Sequence, residues 1–260
     1  MKSGRIVQRL RDHDWMAVAI EVLIVVVGVL IALQVSNWND ARKDSARGED
    51  YLRRMDAELQ GDVKMIARLS VFRHQVYDYG MATVAYAEHG TLYQGSAWKT
   101  VLAYYQASQV WPYRIPDTTF QEIRSNGELD LIRNPVLRNH VSSHYGNSSG
   151  SQVVEVLGVI PKYREDVRGM TPWAIQEYVW KHCYDGSTGN DQKLLDCPAP
   201  VTEAEAQAVL EQYRASPELT RELRFWMANV STSLVLMGTI QTEAEGLDKE
   251  IQDELARHGK

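Results

Sequence analysis

The sequence predicts an all-α protein, with one transmembrane helix near the amino terminus followed by an extramembrane antiparallel helical bundle. Three observations predict it. One stretch, AIEVLIVVVGVLIALQVSNWND at residues 19–40, is more apolar than any other part of the 260-residue chain. Beyond it, apolar residues recur at intervals of three and four, the period of helices that bury one face. No two alternating apolar segments flank a tight turn, so no strand pair is indicated. The expected organisation is a cytoplasmic tail at 1–14, a transmembrane helix at 15–38 and a helical domain at 39–260.

The apolar stretch admits three readings. Met16 to Val35 is twenty residues, strongly polar only at Glu21 and Gln34. At about 1.5 Å per residue it extends roughly 30 Å, the thickness of a bilayer's hydrocarbon core. A signal peptide must be weighed, because Lys2, Arg5, Arg9 and Arg11 precede a shorter uninterrupted run, Val22 to Leu33. However, the exit reads Ala32-Leu33-Gln34-Val35, with no small-x-small cleavage site and no cysteine to accept lipid. A core helix of a soluble domain would keep a polar face, and Val22 to Leu33 has none. Trp15 and Trp38 bracket the segment as interfacial tryptophans do. An uncleaved single span fits best.

Glu21 shares a helical stripe with Ala17, Val25, Gly28 and Ala32. Gly28 and Ala32 form a small-x3-small pair, which lets another helix backbone approach closely. Intramembrane carboxylates usually face protein or water. The stripe therefore reads as a packing face for another membrane protein or a second copy. The alternative is that Glu21 reaches the headgroups and packs with nothing. At the exit, Gln34, Asn37, Trp38 and Asn39 form a polar cluster that a partner would also satisfy.

Orientation follows from the basic residues. The short tail carries four, whereas Arg42, Lys43 and Arg47 after the span are mixed with Asp40, Asp44, Glu49 and Asp50. Short segments obey the positive-inside rule more strictly than long domains. This puts the tail in the cytoplasm and residues 39–260 outside, which in a bacterium is the periplasm bounded by the inner membrane. The only two cysteines, Cys183 and Cys197, flank the polar loop YDGSTGNDQKLLD. They read as a disulfide staple in an oxidising compartment, worth about 3 kcal/mol in the chain-entropy model. Two buried, unpaired thiols are the alternative.

Elements beyond the span follow in order. Trp38 to His89 contains no proline and keeps an apolar stripe through Tyr51, Leu52, Met55, Leu59, Val63, Ile66 and Leu69, with His89-Gly90 as its stop. A shorter helix is expected at Ser96–Gln109, and WPYRIPD at 111–117 is a proline-punctuated connection. Asp117 or Thr118, with Gln121 or Glu122, can cap a helix that ends at Asn126-Gly127. Asn134-Pro135 starts another, with Val136, Leu137, His140, Val141 and His144 along one side. Helical pattern returns at 152–168 and 172–181. Thr202 and Glu205 form a capping box for a helix reaching Ala215. Ser216-Pro217 starts the last helix, whose stripe is Leu219, Leu223, Trp226, Val230, Leu234, Met237 and Ile240. About three long helices with shorter ones between them make the expected bundle.

Chemistry-bearing motifs are sparse. His140 and His144 share a helix face at zinc-binding spacing, but the HExxH form is absent and no third ligand lies nearby. Glu128 and Asp130 read as a solvated face. No nucleophile elbow, phosphate-binding loop or dinucleotide fingerprint occurs. No catalytic residue, metal or cofactor is indicated, and the chain does not read as an enzyme. The formal net charge of −6, well mixed in sign, argues against nucleic-acid binding.

Two segments carry a resemblance. IEVLIVVVGVLIALQVSNWNDARKD (20–44), continuing into EDYLRRMDAEL, and TTFQEIRSNGELDLIRNPVLRNHVSSHYG (118–146) together resemble an uncharacterised family of bacterial single-span membrane proteins, classed as a domain of unknown function. The family's span ends in a GVLIALQ-like run followed by Asn-Trp-Asn, and its second segment closes near a tyrosine pair. This chain departs there, reading His144-Tyr145. The resemblance implies topology, a packing role for Glu21 and no known activity. Three functions follow as expectations: an accessory or scaffolding subunit of a membrane complex; a ligand-sensing outer domain working with a separate signalling partner, which requires Trp98, Tyr104, Tyr105 and Trp111 to line a pocket rather than fill a closed core, the more usual fate of large aromatics; or an enzyme of unrecognised type.

Overall fold

The computed structural model describes residues 15–112, 115–146, 160–186 and 191–258, with side chains from residue 19 to 257. Among them are eight α-helices: α1 (Trp15–His89), α2 (Ala97–Ala107), α3 (Thr118–Asn126), α4 (Pro135–Gly146), α5 (Lys162–Met170), α6 (Trp173–His182), α7 (Glu203–Arg214) and α8 (Pro217–His258). A two-residue ladder joins β1 (Tyr184–Asp185) to β2 (Lys193–Leu194). The chain divides into two compact units, one ending at Tyr51 and the other starting at Leu52.

In the first unit, α1 is the one helix long and apolar enough to cross a membrane among the described residues. Its most apolar window has a mean hydropathy of 2.5, and none of that window is buried. A soluble core helix would be covered, so this exposure is what a lipid-facing segment requires.

In the second unit, the α1 stripe Leu52, Met55, Leu59, Ile66, Leu69, Phe72, Val76 and Tyr86 is buried, at spacings of three and four. The α8 stripe Leu219, Leu223, Trp226, Val230, Met237, Ile240, Leu247 and Ile251 is buried in the same way. Contacts tie the two helices together along their length. Arg224 Nε donates to Glu88 Oε1 at 2.8 Å. A Cβ added at Gly80 would come within 2.1 Å of Met227 Sδ, so glycine allows the close approach there. The carboxyls of Asp56 and Asp248 face one another, each with one oxygen held by a glutamine and the other buried without a hydrogen bond. Burial and Asp56 raise the Asp248 carboxyl above its usual range.

Helix α2 is the centre of the core. Every residue in it except Lys99 is buried, as expected of a helix that is apolar nearly all round. Its buried polar groups are answered: Trp98 Nε1 donates to Cys197 O at 3.1 Å, Gln106 Nε2 to Cys183 O at 2.7 Å, and Trp226 Nε1 to Ala107 O at 2.7 Å. The Cys183–Cys197 disulfide is formed, with both residues buried. It therefore anchors the base of a hairpin directly against α2.

Several local expectations hold. α1 stops at His89, and Gly90 takes a left-handed φ of 73°. The Thr202–Glu205 capping box is present, Ser96 caps α2, and Asn134 Oδ1 accepts from the backbone N–H of Val136 and Leu137. Others are corrected. Only α1 and α8 are long; the proline and glycine punctuation cuts everything between them into helices of three turns or so. A strand pair does exist, because the disulfide holds its two arms within ladder distance. Asp117 makes no side-chain cap for α3. In its place Glu58 Oε1, from α1, accepts from Thr119 Oγ1 at 2.7 Å and Thr119 N at 3.3 Å. Leu137, Val141 and His144 of the expected α4 stripe are buried, whereas Val136 and His140 are exposed, so the inward stripe is narrower than expected. Of the helix expected at 152–168, residues 152–159 lie outside the described residues, as do residues 1–14, 113 and 114.

Candidate functional site

The span is the first candidate. Glu21, Val25, Gly28 and Ala32 are all exposed, and nothing lies within 4 Å of the place a Cβ on Gly28 would take. Glu21 has no hydrogen bond or ion pair with any described residue. Gln34, Asn37, Trp38 and Asn39 at the exit are also exposed, with Trp38 65% so. The side chains of Trp15 and Ala17 lie outside those described.

A second candidate is built on α4 and α8. Between them is a cleft of about 300 Å³ lined by His140, Ser143, His144, Glu243, Gly246, Leu247 and Glu250. The i, i+4 spacing brings both histidines to it, but their environments differ. His140 is exposed and its Nδ1 lies 2.7 Å from Glu250 Oε2. His144 is buried, and neither of its ring nitrogens has a hydrogen-bond partner. Burial lowers its pKa and the Glu243 carboxylate opposes this only in part, so the imidazole is neutral at pH 7. A buried polar atom without a partner costs about 1–3 kcal/mol. Among the described residues, His144 thus keeps one donor and one acceptor without a partner beside the cleft.

Tyr145 continues this polar seam. Its ring stacks on Phe120 at 5.2 Å and meets the His144 ring edge-on at 4.8 Å. Its hydroxyl is buried without a partner. Burial raises its pKa, and the carboxylates of Asp62, Glu58 and Asp117 add to the rise. Helices α1 and α3 meet beside Tyr145: Glu58 holds Thr119, and Arg54 pairs with Glu122. The cleft itself combines the neutral His144 imidazole with the carboxyl groups of Glu243 and Glu250, which suits a ligand that donates hydrogen bonds or carries positive charge. Among the described residues no three histidine, cysteine or acidic side chains are grouped to hold a metal ion. Asp130 pairs with Arg138 at the surface, its side chain 92% exposed.

The large aromatics take the core-packing alternative rather than lining a pocket. Trp98, Tyr104, Tyr105 and Trp111 are all buried in the main apolar cluster, packed among α1, α7 and α8 residues. Sequence reasoning missed Glu58, Asp62, Glu243 and Glu250, and gave Tyr145 no role of its own. Asp62 could have been found, since it interrupts the apolar stripe between Leu59 and Ile66. Glu58 and Glu243 have no local signal. No protein-family model, curated protein or solved structure gives a significant match to the chain.

Proposed function

We propose that this chain is a single-pass protein of the bacterial inner membrane and an accessory or scaffolding subunit of a membrane protein complex. Its tail lies in the cytoplasm, and residues 39–260 form a periplasmic helical bundle in which α1 and α8 run antiparallel. The resemblance to the uncharacterised single-span family belongs to the same reading. The observation that carries it is Glu21. Among the described residues, the Glu21 carboxylate within the span has no partner, and it shares a face with Gly28 and Ala32, where a second helix can approach. A donor on a neighbouring helix would satisfy it, at a gain of about 1 kcal/mol. The exposed polar exit, Gln34 to Asn39, extends the same contact toward the headgroups.

The test is extraction from native membranes in mild detergent, followed by mass spectrometry of what stays bound. A stoichiometric membrane partner is expected with the wild type, and its recovery should fall at least tenfold with Glu21→Leu or Gly28→Leu. Unchanged recovery in both variants refutes the reading. A homo-oligomer in place of a partner assigns the stripe to a second copy. A second reading, a ligand-sensing outer domain that works through a separate signalling protein, draws on the cleft at His144. The buried aromatic cluster no longer supports it.

A further inference from the structure

Helix α5 carries Arg164 and Arg168 one turn apart, so both guanidiniums lie on one face. They converge on the end of α2. Arg164 Nη1 donates to Ser108 O at 2.7 Å and to Gln109 Oε1 at 3.2 Å. Arg168 Nη2 donates to the same Gln109 Oε1 at 3.0 Å, and its Nε reaches Ser108 Oγ at 3.4 Å. The Arg168 guanidinium also stacks over Tyr105 at 4.7 Å and lies 5.4 Å from the Trp180 ring. Among the described residues no carboxylate is a partner of either arginine; Asp166, on the same helix, accepts from Lys162. Burial, and then the charge of Arg164, lowers Arg168 to about 10.

The charge balance is uneven. The carboxy-terminal end of a helix such as α2 supplies roughly half a negative charge, against two full positive ones. Neutral acceptors complete the hydrogen bonds on the protein side but leave the excess charge in place. Among the described residues, three of the six guanidinium nitrogens, Arg164 Nε and Nη2 and Arg168 Nη1, have no protein acceptor. The Tyr105 hydroxyl beside them is buried against Trp180. Trp180, 41% exposed, and Tyr184 meet edge to face at 4.7 Å and form a partly open aromatic wall next to the pair.

We propose that Arg164 and Arg168, with the Trp180–Tyr184 wall, form a binding site for a small oxyanion ligand, a carboxylate or a phosphate. Paired guanidiniums match such groups through parallel N–H donors, and the aromatic wall accepts the part of the ligand next to the charge. The site depends on neither the span nor the histidine cleft.

The test uses the full-length protein in detergent, with sodium phosphate and sodium benzoate as separate probes and sodium chloride holding ionic strength constant. At saturation, at least one probe should raise the unfolding midpoint by about 3 °C or more. Phosphate alone assigns a phosphate ligand; benzoate alone assigns a carboxylate. The effect should vanish in Arg164→Gln/Arg168→Gln. Should that variant fail to fold, Arg168→Lys keeps the charge but loses the fork, and should weaken binding by about tenfold. No shift with either probe, or an equal shift with the arginines replaced, overturns the site.

Discussion

His144 is held neutral by its surroundings, and that has a consequence for stability. Its folded pKa is depressed below the ordinary 6.5, chiefly by burial. Protonation therefore favours the unfolded chain. The stability it contributes is present above that ordinary value and is lost as pH falls from there toward the folded pKa. The unfolding midpoint should accordingly drop by several degrees between pH 7.5 and 5, followed by circular dichroism. His144→Gln should flatten this drop, since glutamine does not titrate and can still donate and accept. Parallel pH profiles for the two proteins would remove His144 from the cause. His140, exposed and beside Glu250, is the useful contrast on the same helix.

At the scale of elements, α1 and α8 come close at Gly80. A side chain there meets the end of Met227, a flexible group that can swing aside for a methyl but not for a larger residue. Gly80→Leu is expected to destabilise the protein by about 1–3 kcal/mol through overpacking. Combining it with Met227→Ala should restore most of that loss, because the two residues share one space. Simple addition of the two single effects in chemical denaturation would show that the helices do not depend on this contact. Helix α3 illustrates a different dependence. Its amino-terminal N–H groups are met by Glu58 of α1, so its start is set by a side chain 61 residues away.

Across the whole molecule, the Cys183–Cys197 bond pins the hairpin loop against α2, through the carbonyls that accept from Gln106 and Trp98. Replacing both cysteines with serine should cost about 3 kcal/mol, as expected for a closed loop of roughly 15 residues. The same bond reports the compartment. If residues 39–260 lie in the periplasm, neither cysteine should react with a maleimide in intact cells until a reductant is added. Free thiols in freshly lysed, alkylated cells would place the outer unit in a reducing compartment and reverse the proposed orientation. The two acids Asp56 and Asp248 and the ion pair Glu88–Arg224 lie far apart along α1 and α8, so the two long helices are matched over most of their length within the second unit.

What the sequence by itself determined is local. The apolar window of α1, the stop at His89-Gly90, the Thr202–Glu205 box, the Asn134 start of α4 and the turn at Gly127 all depend on residues within about four positions of one another. Hydrogen bonding and side-chain volume act at that range whatever the rest of the chain does. The pairing of Cys183 with Cys197 was legible for the same reason, as only one loop could be closed. Only the tertiary structure decided the remainder. Glu58 reaches α3, His144 turns inward while His140 turns out, the four large aromatics close into core, and Arg164 and Arg168 gather at the end of α2. Each of these depends on partners tens of residues away, and on a helix rotation that a shift of a single residue, about 100°, is enough to change. A period of three and four names the face that is buried only to within that angle, and it says nothing about which other helix will cover it.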